Sequence, residues 1–223
     1  MPSKAYQAFT ANAGDINRLL EIHGNLGGSG PGRRYQLEVL NKSAIVLVTA
    51  IWEAYCEDLA AEALAHIVEH AKSGGNLSKY VKRRVAAEVK KDPDELAVWR
   101  LSDEGWRTVL RKRFGELTEA RNRRLNTPKS DNIDELFALA IGIEKVSISW
   151  HWPGMDVEQA RLKLDRFVEL RGAIAHRGRG SGHCYKAEVD DYFNHVKRLV
   201  SKTGGEVNRF VKKITARPLW SKA

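Results

Sequence analysis

The sequence predicts an all-α protein, and three observations carry that expectation. Apolar residues recur at three- and four-residue steps over long stretches; regular alternation is confined to Val146, Ile148 and Trp150; and Gly- or Pro-containing breaks cut the chain into pieces of helical length. The expected layout is a helical bundle with long core helices over residues 34–72, 102–124, 156–176 and 187–216, and additional short helices attached to them. A sheet of three or more strands is incompatible with it. With 223 residues, 43% of them hydrophobic, the chain is long enough for one large core. We read 1–223 as a single domain, with an N-terminal helical segment and glycine-rich loop over 1–32 and the core over 33–223.

In the first segment Tyr6, Phe9, Ile16, Leu19, Leu20 and Ile22 fit one helix, or two short ones around Gly14. Gly24 and the run Gly27, Gly28, Ser29, Gly30, Pro31, Gly32 then read as a flexible loop. This run is not a phosphate-binding P-loop, because Arg33 and Arg34 stand where a Gly-Lys-Ser/Thr ending is required. From residue 34 the stripe Leu37, Leu40, Ile45, Val48, Ile51, Tyr55, Leu59, Leu64 and Ile67 marks the longest helix. Polar residues are nearly absent between Ala44 and Trp52, so this helix is expected to be buried on more than one face and to be central.

After Ser73, Gly74, Gly75 and Asn76 comes a short basic helix, with Lys79, Lys82, Arg83, Arg84, Lys90 and Lys91 around Leu77, Val81, Val85 and Val89. Ser102 followed by Asp103 and Glu104 suggests an N-cap and acidic first turn. The helix it would open is also basic, with Arg107, Arg111, Lys112, Arg113, Arg121, Arg123 and Arg124. Such runs are most often a solvated face; the alternative is a strip that tracks RNA. A turn over 126–132 precedes a short helix over 133–141. Val146, Ile148 and Trp150 suggest an extended piece before the turn at Trp152, Pro153 and Gly154. The next helix carries Val157, Ala160, Leu164, Phe167, Val168, Leu170 and Ile174, and the last long helix is expected to bend at Gly204 and Gly205.

Composition narrows the function. The net charge of +9 and pI near 9.6 favour polyanionic partners, although many basic proteins carry charge only for solubility. Two cysteines, Cys56 and Cys184, lie far apart and outside any CxxC spacing, which indicates neither a disulfide framework nor a zinc knuckle and fits a reducing cytoplasm. The longest apolar run, residues 43–52, is half of the roughly 20 residues that a membrane helix needs. No membrane span and no secretory leader are expected.

The chemistry-bearing stretch is Glu169, Leu170, Arg171, Gly172, Ala173, Ile174, Ala175, His176, Arg177 and Gly178. It pairs a permanent cation with the side chain whose ordinary pKa lies nearest neutrality. RNA scission by the ribose 2′-hydroxyl needs a base for that hydroxyl, a proton for the leaving 5′-oxygen and positive charge at the phosphate. His176 can move the protons, and the planar fork of Arg171 fits two phosphate oxygens. Arg177 and Arg179 are candidates to guide the neighbouring backbone. Five steps of an ideal helix turn through about 500°, so Arg171 and His176 would stand roughly 140° apart. They can meet at one phosphate only if the helix loosens near Gly172, ends before His176, or is completed by a second subunit. The competing structural reading pairs Arg171 with Glu169 or Glu53 and leaves His176 at a helix end.

These landmarks together resemble the HEPN superfamily (higher eukaryotes and prokaryotes nucleotide-binding domains), in particular the RiboL-PSP-like and related prokaryotic RNase and toxin proteins. Residues 43–59 resemble their apolar helix ending in Glu53, Ala54 and Tyr55; residues 126–133 resemble their turn before a short helix; residues 170–178 resemble the end of their motif helix. Where the family usually has a polar residue after the Arg, often Asn, this chain has Gly172. The resemblance implies a HEPN-like helical bundle and a metal-independent endoribonuclease without a cofactor. It implies an Arg-x4-His motif formed by Arg171 and His176, with Glu53 and Tyr55 in support, and a homodimer in which two motifs face one cleft. It also implies RNA as the substrate, a toxin or phage-defence setting, and an antitoxin or other regulatory protein as a further partner. The alternative is a non-catalytic HEPN module that binds RNA, a nucleotide or a protein.

Two other patterns point elsewhere. His66, Glu69 and His70 match an inverted zinc-protease spacing, but no third ligand stands out and a solvated helix end accounts for them better. The six Trp residues could stack bases, but they are not interleaved with Lys and Arg, which favours core and interface roles.

Overall fold

The computed structural model describes residues 2–27, 37–122, 127–177 and 183–221, with some side chains near the gaps, including those beyond Lys112 in α4, outside the description. Among the described residues the structure is α-helical: α1 (Lys4–Gly27), α2 (Glu38–His70), α3 (Lys79–Val89), α4 (Gly105–Asn122), α5 (Ser130–Ala140), α6 (Val157–Arg177) and α7 (Lys186–Thr215). The only β-type pairing among them is an isolated bridge between Trp152 and Met155. The N-terminal segment is one helix running through Gly14.

Helix α2 is the axis of the bundle. Ala44, Ile45, Val48, Trp52, Cys56, Leu59, Ala60 and Ala63 are all fully buried, and they occupy several faces because α1, α4, α5, α6 and α7 each pack on this one helix. A helix apolar on all sides is stable only inside such a shell. Helix α1 adds Ala5, Phe9, Ala13 and Ile16 to the same hydrophobic cluster, and α7 adds a stripe from Val189 through Val196, Leu199 and Val207 to Ile214.

Several helix ends are satisfied by side chains from other helices, which fixes their mutual placement. Glu62 on α2 accepts from the Lys4 and Ala5 amides at 3.1 Å each and so caps α1. Asp165 on α6 accepts from the Ser130 amide at 2.7 Å and hydroxyl at 2.9 Å and caps α5. Arg107 on α4 donates to the carbonyls of Val68 and Ala71 (2.8 Å to the latter) and closes the C-terminus of α2. Each such contact satisfies backbone groups that a helix leaves open.

Three local expectations are corrected. Ser102 is not the N-cap of α4; it ends a 3-10 segment, Glu95–Leu101, and its hydroxyl donates to the Trp99 carbonyl at 2.6 Å. Residues Val146–Ser149 form a 3-10 turn rather than an extended piece, since Asp134 captures the Ser147 amide at 2.8 Å and hydroxyl at 2.7 Å. Helix α5 begins at Ser130, three residues before the expected start, because Asp165 supplies its cap. Helix α7 is one helix through Gly204 and Gly205. Gly204 is small because a Cβ there would stand 2.7 Å from the Tyr55 hydroxyl, so the residue serves close helix packing.

Candidate active site

The motif lies on the last two turns of α6, which remains helical to Arg177. Neither loosening at Gly172 nor an end before His176 occurs, so the separation of about 140° around the helix stands. Arg171 is half-buried and His176 is exposed. Glu169 does not serve as the partner imagined for Arg171: it accepts from Lys129 at 2.6 Å.

Arg171 lies close enough to Tyr192 of α7 for its charge to oppose the upward shift that burial imposes on that phenol. Tyr192 is fully buried and stacks on Phe167 of α6, with ring centroids 4.3 Å apart and planes within 14°. Its hydroxyl shares a 3.0 Å hydrogen bond with Thr49 of α2, which also donates to the Ile45 carbonyl at 2.9 Å. Thus α2, α6 and α7 meet behind Arg171 through a stacked pair and a hydroxyl pair. Sequence reasoning missed Thr49 and Tyr192. The available signal was Thr49 itself, a polar residue inside the most apolar run of the chain, since a buried hydroxyl calls for a partner.

Glu53 is half-buried one turn beyond Thr49 on α2. Tyr55 is buried elsewhere on that helix: its hydroxyl donates to the Val200 carbonyl at 3.0 Å, and its ring packs edge-on against Phe9 and parallel to Trp52. Burial raises its phenol well above the ordinary value, so Tyr55 holds α2 to α7 as a neutral hydrogen-bond donor. The Arg177 side chain and the whole of Arg179 lie outside the described residues, as do the side chains of Arg113, Arg121, Arg123 and Arg124 and most of the glycine-rich run.

The chain just beyond the motif is pinned to the start of α2. Asn41 donates to the Cys184 carbonyl at 2.9 Å, and His183 Nδ1 lies 3.6 Å from Glu38. Cys184 is buried, which pushes its thiol up to about 11 and keeps it protonated and unreactive at neutral pH. At the other end of α2, the His66 and His70 rings meet edge to face, with centroids 4.4 Å apart. Among the described residues no group of three or more His, Cys, Asp or Glu side chains converges in a way that could hold a metal ion. No helix among them is long and apolar enough to cross a membrane.

A helical bundle that presents an Arg and a His on the closing turns of a core helix, backed by two further core helices, has the form of a HEPN-type domain. The family model for RiboL-PSP-HEPN matches residues 12–209, and the chain belongs to that family. No curated protein and no solved structure matches the chain.

Proposed function

We propose that the protein is a metal-independent endoribonuclease whose active site is completed by a second copy of the chain. The observation that carries the reading is the unbroken α6, which keeps Arg171 half-buried within electrostatic reach of Tyr192 and His176 exposed about 140° further round the same helix. One chain cannot bring both groups squarely onto one phosphate, whereas a two-fold partner can bring its His176 to the first chain's Arg171 and receive the reciprocal pair. His176 takes the proton from the 2′-hydroxyl and the 2′-oxygen bonds to phosphorus. The bond to the 5′-oxygen breaks, and that oxygen takes the proton that His176 now holds, which returns the imidazole to its neutral form. Arg171 holds two phosphate oxygens and offsets the charge that builds on them. The products are a 2′,3′-cyclic phosphate, or the 3′-phosphate from its hydrolysis, and a 5′-hydroxyl. Family membership and the charge of +9 support RNA as the substrate. A cytoplasmic toxin or phage-defence effector, held in check by an antitoxin or other regulatory protein, is the setting that this chemistry fits.

The test uses a mixed RNA pool in excess EDTA. Wild type should cut and leave the stated ends, while Arg171→Ala and His176→Ala should each lose about a hundredfold or more. Co-expressing the two variants should restore about a quarter of wild-type activity: half of the dimers are mixed, and each mixed dimer has one intact Arg–His pair. Single variants that cut as fast as wild type refute the assigned roles, and no recovery on mixing refutes the shared site. Gly172 favours a second reading, a non-catalytic RNA-, nucleotide- or protein-binding module. A Cβ at Gly172 would meet nothing within 4 Å among the described residues, so none of them stands where the side chain of the polar residue usual in the family would begin. Wild type that binds RNA in a salt-dependent way without cutting it establishes that reading.

A further inference from the structure

At the far end of α2 from the motif, the 3-10 segment Glu95–Leu101 holds an apolar ridge out in water. Trp99 is 71% exposed, Leu96 66% and Val98 57%, whereas Ala97 is buried at 1% and ties the segment to the core. Side chains three residues apart eclipse one another in a 3-10 helix, so Leu96 and Trp99 stand side by side on one edge.

The ridge stands on a built turn. Asp94 caps it by accepting from the Leu96 amide at 3.0 Å, and Arg100 reaches back to both Asp92 (2.6 Å) and Asp94 (2.8 Å). The Ser102 amide and hydroxyl close it on the Trp99 carbonyl at 3.1 and 2.6 Å. Of the acids around the ridge, Asp92 and Asp94 are paired with Arg100 and Glu104 with Arg107, while Glu95 and Asp103 stand exposed to water. The surroundings are basic: residues 79–112 carry ten Lys and Arg against six Asp and Glu, a net charge of +4, and Lys82, Arg83, Arg84, Lys90 and Lys91 of the preceding stretch are exposed. A flat aromatic face amid cations suits a polyanion with planar rings, because every base can stack on Trp while the backbone meets Lys and Arg.

We propose that the ridge of Leu96 and Trp99, flanked by Lys90 and Lys91, is a second RNA-contact surface that stacks an unpaired base of a single-stranded segment away from the motif. From Thr49, beside the motif, to Val68, capped by Arg107, α2 spans about 28 Å. A bound strand long enough to reach both places is thereby selected over a short one. The proposal rests on RNA being the ligand, but not on cleavage.

The probe is a labelled 2′-O-methyl oligoribonucleotide of mixed sequence, which lacks the attacking hydroxyl, titrated by fluorescence anisotropy at low and at physiological salt. Trp99→Ala should weaken binding about tenfold, the size of one lost base stack, and Trp99→Phe should retain most of the affinity. Lys90→Ala with Lys91→Ala should lower the salt slope by about 2 at most. Because Trp99 is exposed, both Trp variants should keep the wild-type helical circular dichroism and melting temperature, which separates lost binding from lost folding. Trp99→Ala binding as tightly as wild type overturns the proposal. Light scattering in which wild type self-associates and Trp99→Ala does not also overturns it, in favour of an interface between copies. If wild type fails to cut RNA while the Trp99 effect on binding persists, the nuclease reading falls and this one stands.

Discussion

Stability should fall as pH drops below neutrality, and one side chain sets much of the slope. His195 on α7 is 3% exposed; its Nε2 faces the Ala160 carbonyl at 3.0 Å, and its Nδ1 is buried without a hydrogen-bond partner. Burial pushes its pKa down to about 4, against which the contact with Ala160 works only in part. Lys163 on α6 adds to the depression and Asp191 on α7 opposes it, while those two are themselves paired at 2.6 Å. The folded state therefore keeps a neutral ring with the proton on Nε2, while the unfolded chain titrates near 6.5. Between these values the unfolded state binds a proton that the folded state refuses. The contribution is complete above about 6.5 and is lost as pH falls toward 4. The full effect is about 3 kcal/mol, of which about 2 kcal/mol is lost between pH 7 and pH 5. Urea unfolding of wild type and His195→Gln at pH 7, 6 and 5 checks this, since Gln can still donate to Ala160 but does not titrate. Other titrating groups cancel in the difference between the two proteins. Parallel pH dependences, or a His195 resonance that titrates near 6.5, would refute the reasoning.

Asp134 is nearly buried and accepts from the Ser147 amide and from Arg161, which keeps Asp131 as a second partner; Asp134→Ala should therefore leave the buried Ser147 amide unpaired and cost about 1–3 kcal/mol in chemical denaturation. Gly205 faces open space and Gly204 the Tyr55 hydroxyl. Gly205→Ala should raise stability by up to about 1 kcal/mol, and Gly204→Ala should lower it by roughly 1–3 kcal/mol as that hydroxyl is forced from Val200; equal melting shifts would show that the two glycines are equivalent. Gly172→Ala, in the motif helix with open space for a Cβ, should stabilise by about 0.5–1 kcal/mol in the same measurement, and a loss would reveal a contact at that position.

The all-α class and the central helix were legible because they rest on local periodicity. The stripe from Leu37 to Ile67 and the apolar run before Trp52 require a buried axial helix whatever surrounds it. What escaped depends on partners distant in sequence. Ser102 has the chemistry of an N-cap, yet the Trp99 carbonyl claims its hydroxyl and α4 opens three residues later. The alternation of Val146, Ile148 and Trp150 looks extended, but Asp134 binds Ser147 and winds the segment, with Trp150 buried and Ile148 left 61% exposed. Trp99 looked like any other tryptophan, because exposure is a property of the packed bundle. At the motif the sequence names Arg171, His176 and the apolar Phe167, whereas Thr49 and Tyr192 enter only through a contact between helices more than a hundred residues apart in the chain.

The rigidity of that backing bears on how an Arg–His pair is best divided between chains. If α6 could unwind at Gly172, a single chain could fold His176 back toward Arg171, and dimer formation would be incidental to chemistry. Yet α6 is held near the motif on two sides, by Lys129 on Glu169 and by Phe167 stacked on Tyr192, with Asp165 a turn earlier committed to the start of α5. Unwinding would give up backbone hydrogen bonds next to buried side chains, whereas a second copy supplies the missing group without disturbing any of them. In the shared-site arrangement the stiffness of α6 thus becomes useful. In that arrangement Arg171 would stay half-buried near the core, the exposed His176 would reach across, and each half would be completed by the other chain.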